Sequence, residues 1–184
     1  MAKAEKQLER FLEKHGIETF LWGIQEGTKT VKDLSREISE GETLIRKTRE
    51  GVFRETSVLY IRVSFGDHEL YEDRQEFRSG QSRSRTELRG SIAEKLKRNE
   101  AFDKNAVFRA VREELGIGPG GIVSIQFGQT WVEHSDSPSY PGLNAVFSCC
   151  AAHIELKESA FTAEGYREIQ KDKVTFFRWR KRVD

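Results

Sequence analysis

The chain has 184 residues, enough for one well-buried core and short of two ordinary domains. Although 33% of the residues are charged, the formal net charge is only +1, which excludes the one-sided field that draws a protein onto nucleic acid or a membrane surface. No apolar run reaches the length of a membrane span, and the first residues lack a signal-peptide core. The two cysteines, Cys149 and Cys150, are sequence neighbours that cannot easily meet disulfide geometry, so two buried thiols in a reducing, cytoplasmic setting are expected.

Residues 3–15 read as a short charged helix with Leu8, Phe11 and Leu12 as its apolar stripe and Gly16 as its stop. A second helix is expected over 31–40. Thr30 can cap it, Asp33 stands where a capping-box acid belongs, and Val31, Leu34 and Ile38 share a face. Residues 1–50 are accordingly read as an N-terminal helical extension packed on a core domain of residues 51–184.

The period then shortens to two. In 57–65, Leu59, Ile61, Val63 and Phe65 alternate with Tyr60, Arg62 and Ser64, the pattern of a half-buried strand. Gly66-Asp67 turns the chain into a partner strand over 68–77, and Ser79-Gly80 turns it again into 81–88, an antiparallel meander. The helical period returns over 105–115, with Val107, Phe108, Val111 and Leu115 as the expected buried face and Gly116 as the stop. The Gly118–Gly121 cluster lacks the Lys-Ser/Thr ending of a phosphate loop and reads as a connection. Strands over 122–132 and 143–156 flank a polar loop holding Glu133, His134, Asp136, Pro138 and Pro141. A short helix around 163–169 and a last strand over 174–180 follow, with Phe177 and Trp179 on one side and Phe176, Arg178 and Arg180 on the other. Strands, a central helix and more strands make a mixed α/β domain.

The run Arg109-Ala110-Val111-Arg112-Glu113-Glu114-Leu115-Gly116-Ile117 resembles the end of the Nudix box, G-x5-E-x7-R-E-U-x-E-E-x-G-U with U aliphatic. Arg109, Val111, Glu113, Glu114, Gly116 and Ile117 match. Ala110 stands where the family has Glu, Glu100 matches the isolated Glu only with one inserted residue, and the opening Gly has no clean counterpart. The resemblance implies a Nudix-like α/β/α sandwich with a mixed sheet, carrying the N-terminal helical extension. It also implies a hydrolase that uses Mg2+ or Mn2+ to cleave a diphosphate linkage in a nucleoside-diphosphate-linked small molecule. Glu113 and Glu114 would hold the metal and carry catalysis, with Glu100 and Glu94 assisting from the preceding loop. Hard carboxylate oxygens suit a hard cation, which offsets phosphate charge and helps to activate water. Ala110 removes the carboxylate expected nearest Glu114. The alternative that follows is a catalytically inactive Nudix-fold module that binds a nucleotide-like ligand or a protein partner. A third alternative is an unrelated α+β domain whose helix ends in Glu-Glu-Leu-Gly.

Guanidinium groups suit phosphate oxygens through paired hydrogen bonds. Arg83 and Arg85 share a face if their segment is a strand, and Arg178 with Arg180 repeats the pattern, so Arg83, Arg85 and Arg178 are the candidate phosphate contacts. The competing reading is a solvated strand face interleaved with acids. His134, in Glu133-His134-Ser135-Asp136, and Tyr140, in Ser139-Tyr140-Pro141-Gly142, are further candidates, as ligand contact or base and as a ring that stacks on a base or packs over its loop. No nucleophile-elbow motif accompanies Ser135. A small-molecule ligand and a homodimer are the expected partners, and neither membrane nor nucleic acid is.

Overall fold

The helix ends follow local signals. This computed structural model describes residues 3–25, 27–84 and 90–182; in it α1 spans Lys3–Lys14, α2 Val31–Ser39 and α3 Lys104–Leu115. Thr30 and Asp33 form the full capping box: the Thr30 hydroxyl accepts from the Asp33 amide at 3.1 Å, and the Asp33 carboxylate accepts from the Thr30 amide at 3.0 Å. Those amides have no partner inside the helix, so each bond removes a cost of helix initiation. Asp103 caps α3 by accepting from the amides of Asn105 and Ala106, and Gly116 ends it at φ 71°, a left-handed turn open to glycine without a Cβ penalty.

The strands are β1 Leu44–Lys47, β2 Val52–Phe65, β3 His68–Phe77, β4 Ser82–Ser84, β5 Ile92–Lys95, β6 Ile122–Asp136, β7 Asn144–Leu156, β8 Tyr166–Ile169 and β9 Lys173–Lys181. They hydrogen-bond in the order β6-β7-β2-β3-β9-β8, with β1 and β5 also on β2 and β4 on β3. The fold class is therefore α/β, built on one large sheet. No helix among the described residues is long and apolar enough to cross a membrane.

Several expectations change. The strand expected over 122–132 continues to Asp136, so Glu133, His134 and Asp136 stand on β6 rather than on a loop. Residues 166–169 form β8 rather than a helix, and β1 and β5 are additional strands. Four residues are too few for periodicity to separate strand from helix or loop. Of the strand expected over 81–88, Ser82–Ser84 is observed and 85–88 lie outside the described residues.

The chain divides into two compact units, and neither is a simple stretch of sequence. The first is Met1–Ser57, Lys95–Glu100 and Trp131–Cys149; the second is Val58–Glu94, Ala101–Thr130 and Cys150–Asp184. This differs from a boundary at residue 50. The physical reason lies in the first unit's core, where Leu12, Ile17, Trp22, Val31, Leu34 and Val52 pack with Tyr140 and Leu143 from far along the chain. The Trp22 indole N–H donates to the Pro141 carbonyl at 3.0 Å, and the Lys29 amide to the Ser139 carbonyl at 2.8 Å.

Within that unit Glu37, only 2% exposed, is enclosed by cations: Lys29 at 2.6 Å, Arg54 at 2.9 Å and Lys95 at 3.0 Å, with the Tyr140 hydroxyl donating at 3.1 Å. Burial alone would raise the Glu37 pKa. The Lys29 hydrogen bond and the charges of Lys95, Lys29 and Arg54 outweigh it and hold the carboxyl down to about 2.

In the second unit, strand register defines two faces. Leu70 opposes Trp179, Glu72 opposes Phe177 and, after a bulge between Glu72 and Arg74, Gln75 opposes Thr175. Directly opposed residues lie on the same side of a sheet, so these residues share the buried face. On β8, Tyr166 opposes Phe177 and Glu168 opposes Thr175, which puts Glu168 on that face too. The helix α3 packs against β8 and buries Ala106, Val107, Ala110, Val111 and Leu115. The expected core positions Val107, Val111 and Leu115 are realised. Phe108 is only half-buried, and Ala110 takes a core position.

Candidate acidic site at the end of the third helix

Helical spacing brings Arg109 and Glu113 onto one flank of α3, one turn apart. The Arg109 guanidinium bridges two acids through one nitrogen, Nη1, donating to Glu113 at 2.8 Å and to Glu94 of β5 at 2.7 Å. Glu94 and Glu113, both expected as metal ligands, are thus joined by an arginine, and Glu113 is 53% exposed.

Glu114 occupies a different environment. It is partly buried and shares a side-chain hydrogen bond with Glu168, with the Glu94 charge nearby and Lys173 as the opposing cation. Burial, then the Glu168 and Glu94 charges, push its carboxyl up to about 8, so Glu114 retains its proton at neutral pH. Glu168 is further fixed by the Gln170 side-chain amide, which donates to it at 2.5 Å.

Glu168 is the residue that the sequence reading missed. Its signal is the alternation in Tyr166-Arg167-Glu168-Ile169, where Tyr166 and Glu168 are half-buried and their neighbours exposed. Reading the segment as a helix hides that alternation.

The remaining candidates disperse. Arg83 opposes Gln75, so it lies on the same sheet face as Glu168, and it donates to the Gln75 side-chain carbonyl at 2.7 Å. Arg85 lies outside the described residues. Arg178 opposes Tyr71 on the other face and pairs with Asp73 at 3.3 Å. Its expected phosphate role beside the acids is corrected by that register. Arg180 pairs with Glu69 at 3.2 Å and lies over the Tyr71 ring, and Arg74 pairs with Asp73 and Glu76 and lies over Phe176. That face is the solvated lattice of arginines and acids that was the competing reading.

Three candidates belong to the first unit. Tyr140 is fully buried with its hydroxyl on Glu37, so its ring has no open face for a base and the stacking role is replaced by packing. His134 is exposed near the end of β6. The Glu100 carboxylate accepts from the Lys97 amide at 2.7 Å.

Ala110 is also reassigned. It is fully buried on the packed side of α3, so a carboxylate there would enter the core layer rather than a solvated metal site. A small side chain suits a helix seated closely on its neighbours.

As a cation site, the donors are carboxylate oxygens crowded by like charge. Among the described residues no three His, Cys, Asp or Glu side chains converge closely enough to enclose a metal ion. Such a set does not fit a closed zinc site. It fits magnesium, which keeps several waters and takes one or two carboxylates together with phosphate oxygens.

No protein-family model matches the chain, and no curated protein matches it. Among solved structures, the chain is similar to the mutator MutT protein from Bacillus halodurans, at 15% identity over 68% of each chain with a TM-score of 0.38.

Proposed function

We propose that the second unit carries a divergent Nudix-type centre that uses Mg2+ (or Mn2+) to hydrolyse a diphosphate linkage in a nucleoside-diphosphate-linked small molecule. One observation carries this reading. Glu114, in the final turn of the helix that bears Arg109, Glu113, Gly116 and Ile117, shares a side-chain hydrogen bond with Glu168 of β8 and feels the charge of Glu94 of β5, so the motif's acid is paired with a second carboxyl group from a strand. A divalent cation in place of the proton on Glu114 would relieve the crowding beside Glu168, and when bound it would offset phosphate charge and lower the pKa of water. Arg109 orients Glu94 and Glu113, and Arg83 offers a guanidinium on the sheet face that bears Glu168.

A second reading, a Nudix-fold module that binds a nucleotide-like ligand without turnover, is favoured by the buried methyl group at Ala110 and by the arginine that bridges Glu94 and Glu113. The two are separated by screening Mg2+ and Mn2+ against dinucleotides, nucleotide sugars and nucleoside triphosphates, with Glu114→Gln and Glu168→Gln as controls. Metal-dependent turnover lost in both variants is the expected result. Ligand-induced thermal stabilisation without turnover supports the binding module.

A further inference from the structure

A sheet edge is a row of unpaired amide and carbonyl groups, and proteins ordinarily guard it with lysine, proline, a bulge or a covering element. At one end of this sheet stands β6, which among the described residues pairs with β7 alone. Its part in the second unit, Ile122-Val123-Ser124-Ile125-Gln126-Phe127-Gly128-Gln129-Thr130, contains no charged residue and no proline. Two apolar side chains are conspicuously open there, Val123 at 60% and Phe127 at 40% exposure. A Cβ at Gly128 would stand 3.4 Å from the Ala151 side chain, so Gly128 faces the same side as Ala151 and its neighbour Phe127 the opposite one. Residues two apart share a side, so Val123, Ile125 and Phe127 line one face of the edge strand and Ser124, Gln126 and Gly128 the other.

We infer that this edge is a self-association surface, on which a second copy of the chain adds its own β6 antiparallel about a two-fold axis at Ile125. The segment is self-complementary in that register. Val123 of one copy opposes Phe127 of the other on both sides of an Ile125–Ile125 pair, while Ser124 opposes Gln126 on the other face. Apolar and aromatic–β-branched cross-strand pairs stabilise antiparallel ribbons, and a two-fold contact uses the same patch twice and closes. The uncharged stretch over 122–130 meets its own copy without like-charge repulsion, whereas an acidic or basic peptide would find no opposite charge on that stretch to grip. The second copy is therefore the occupant that this edge fits.

Sedimentation velocity of the full chain over a dilution series tests the inference. Wild-type protein is expected to dissociate from dimer to monomer on dilution. Val123→Lys with Phe127→Lys sets lysine opposite lysine twice and is expected to raise the dissociation constant about ten-fold or more. Val123→Lys with Phe127→Glu sets lysine opposite glutamate twice and is expected to keep the dimer. Unchanged circular dichroism and thermal melts show that both doubly substituted chains are folded. A wild-type monomer at all concentrations, open-ended aggregation, or equal behaviour of the two variants overturns the inference.

Discussion

At the residue scale, two glutamates are shifted in opposite directions, and their consequences differ in sign. Glu114 is pushed from 4.5 up to about 8, by burial first and then by Glu168 and Glu94. A carboxyl that holds its proton more tightly when folded adds stability that is complete below its unfolded pKa and is lost as pH rises to the folded one. The metal-free protein is therefore expected to lose stability between about pH 4.5 and about pH 8, by a few kcal/mol at most. Glu114→Gln should flatten that loss, as read by thermal or denaturant unfolding across the window; an unchanged slope would remove Glu114 as its source. Glu37 is the reverse case, held from 4.5 down to about 2, so its stability is present above 4.5 and is lost as the pH falls through 2. Glu37→Ala would leave Arg54, itself 5% exposed, buried without its carboxylate. A loss of about 3–5 kcal/mol in denaturant unfolding is expected, and one below about 1 kcal/mol would show that the cluster is not a buried ion-pair network. Ala110→Glu now has an expected outcome set by burial: lower stability, with no gain in magnesium affinity.

At the element scale, legibility follows length and end signals. Both α2 and α3 could be read because Thr30, Asp33 and Gly116 mark their ends and their apolar spacing persists over several turns. Asp103 was the unread cap of α3, and Asp103→Ala is expected to cost about 1 kcal/mol in denaturant unfolding, since two amides lose their acceptor. The strand β9 could also be read, down to the opposition of Phe177 and Trp179 to Phe176 and Arg178. What could not be read was which face meets α3, because that depends on pairing with β3 and β8. The shared side of Glu168 and Arg83, and the exclusion of Arg178, are therefore properties of register rather than of sequence pattern. Arg178→Ala is accordingly expected to leave cation and nucleotide binding unchanged in titration calorimetry, and a loss of nucleotide affinity would restore its phosphate role.

For the whole molecule, the fold class was legible, and the long-range packing of the first residues was not. Residues 1–50 carry ordinary amphipathic helices, and nothing local in them announces that Leu12, Trp22 and Leu34 will close over Tyr140 and Leu143. The candidate site shows the same limit, since Glu113 and Glu114 stand in a motif while Glu168 reaches Glu114 only through the pairing of β8 with β9. The central claim is the proposed cation site at Glu114 and Glu168, where magnesium displaces the proton of Glu114. Titration calorimetry of Mg2+ into the intact protein near neutral pH, repeated in buffers of different ionisation enthalpy, counts the protons displaced. Binding that releases up to one proton, and that is lost in both Glu114→Gln and Glu168→Gln, is the expected result. Absence of binding, or binding that releases no proton and survives both substitutions, would contradict it.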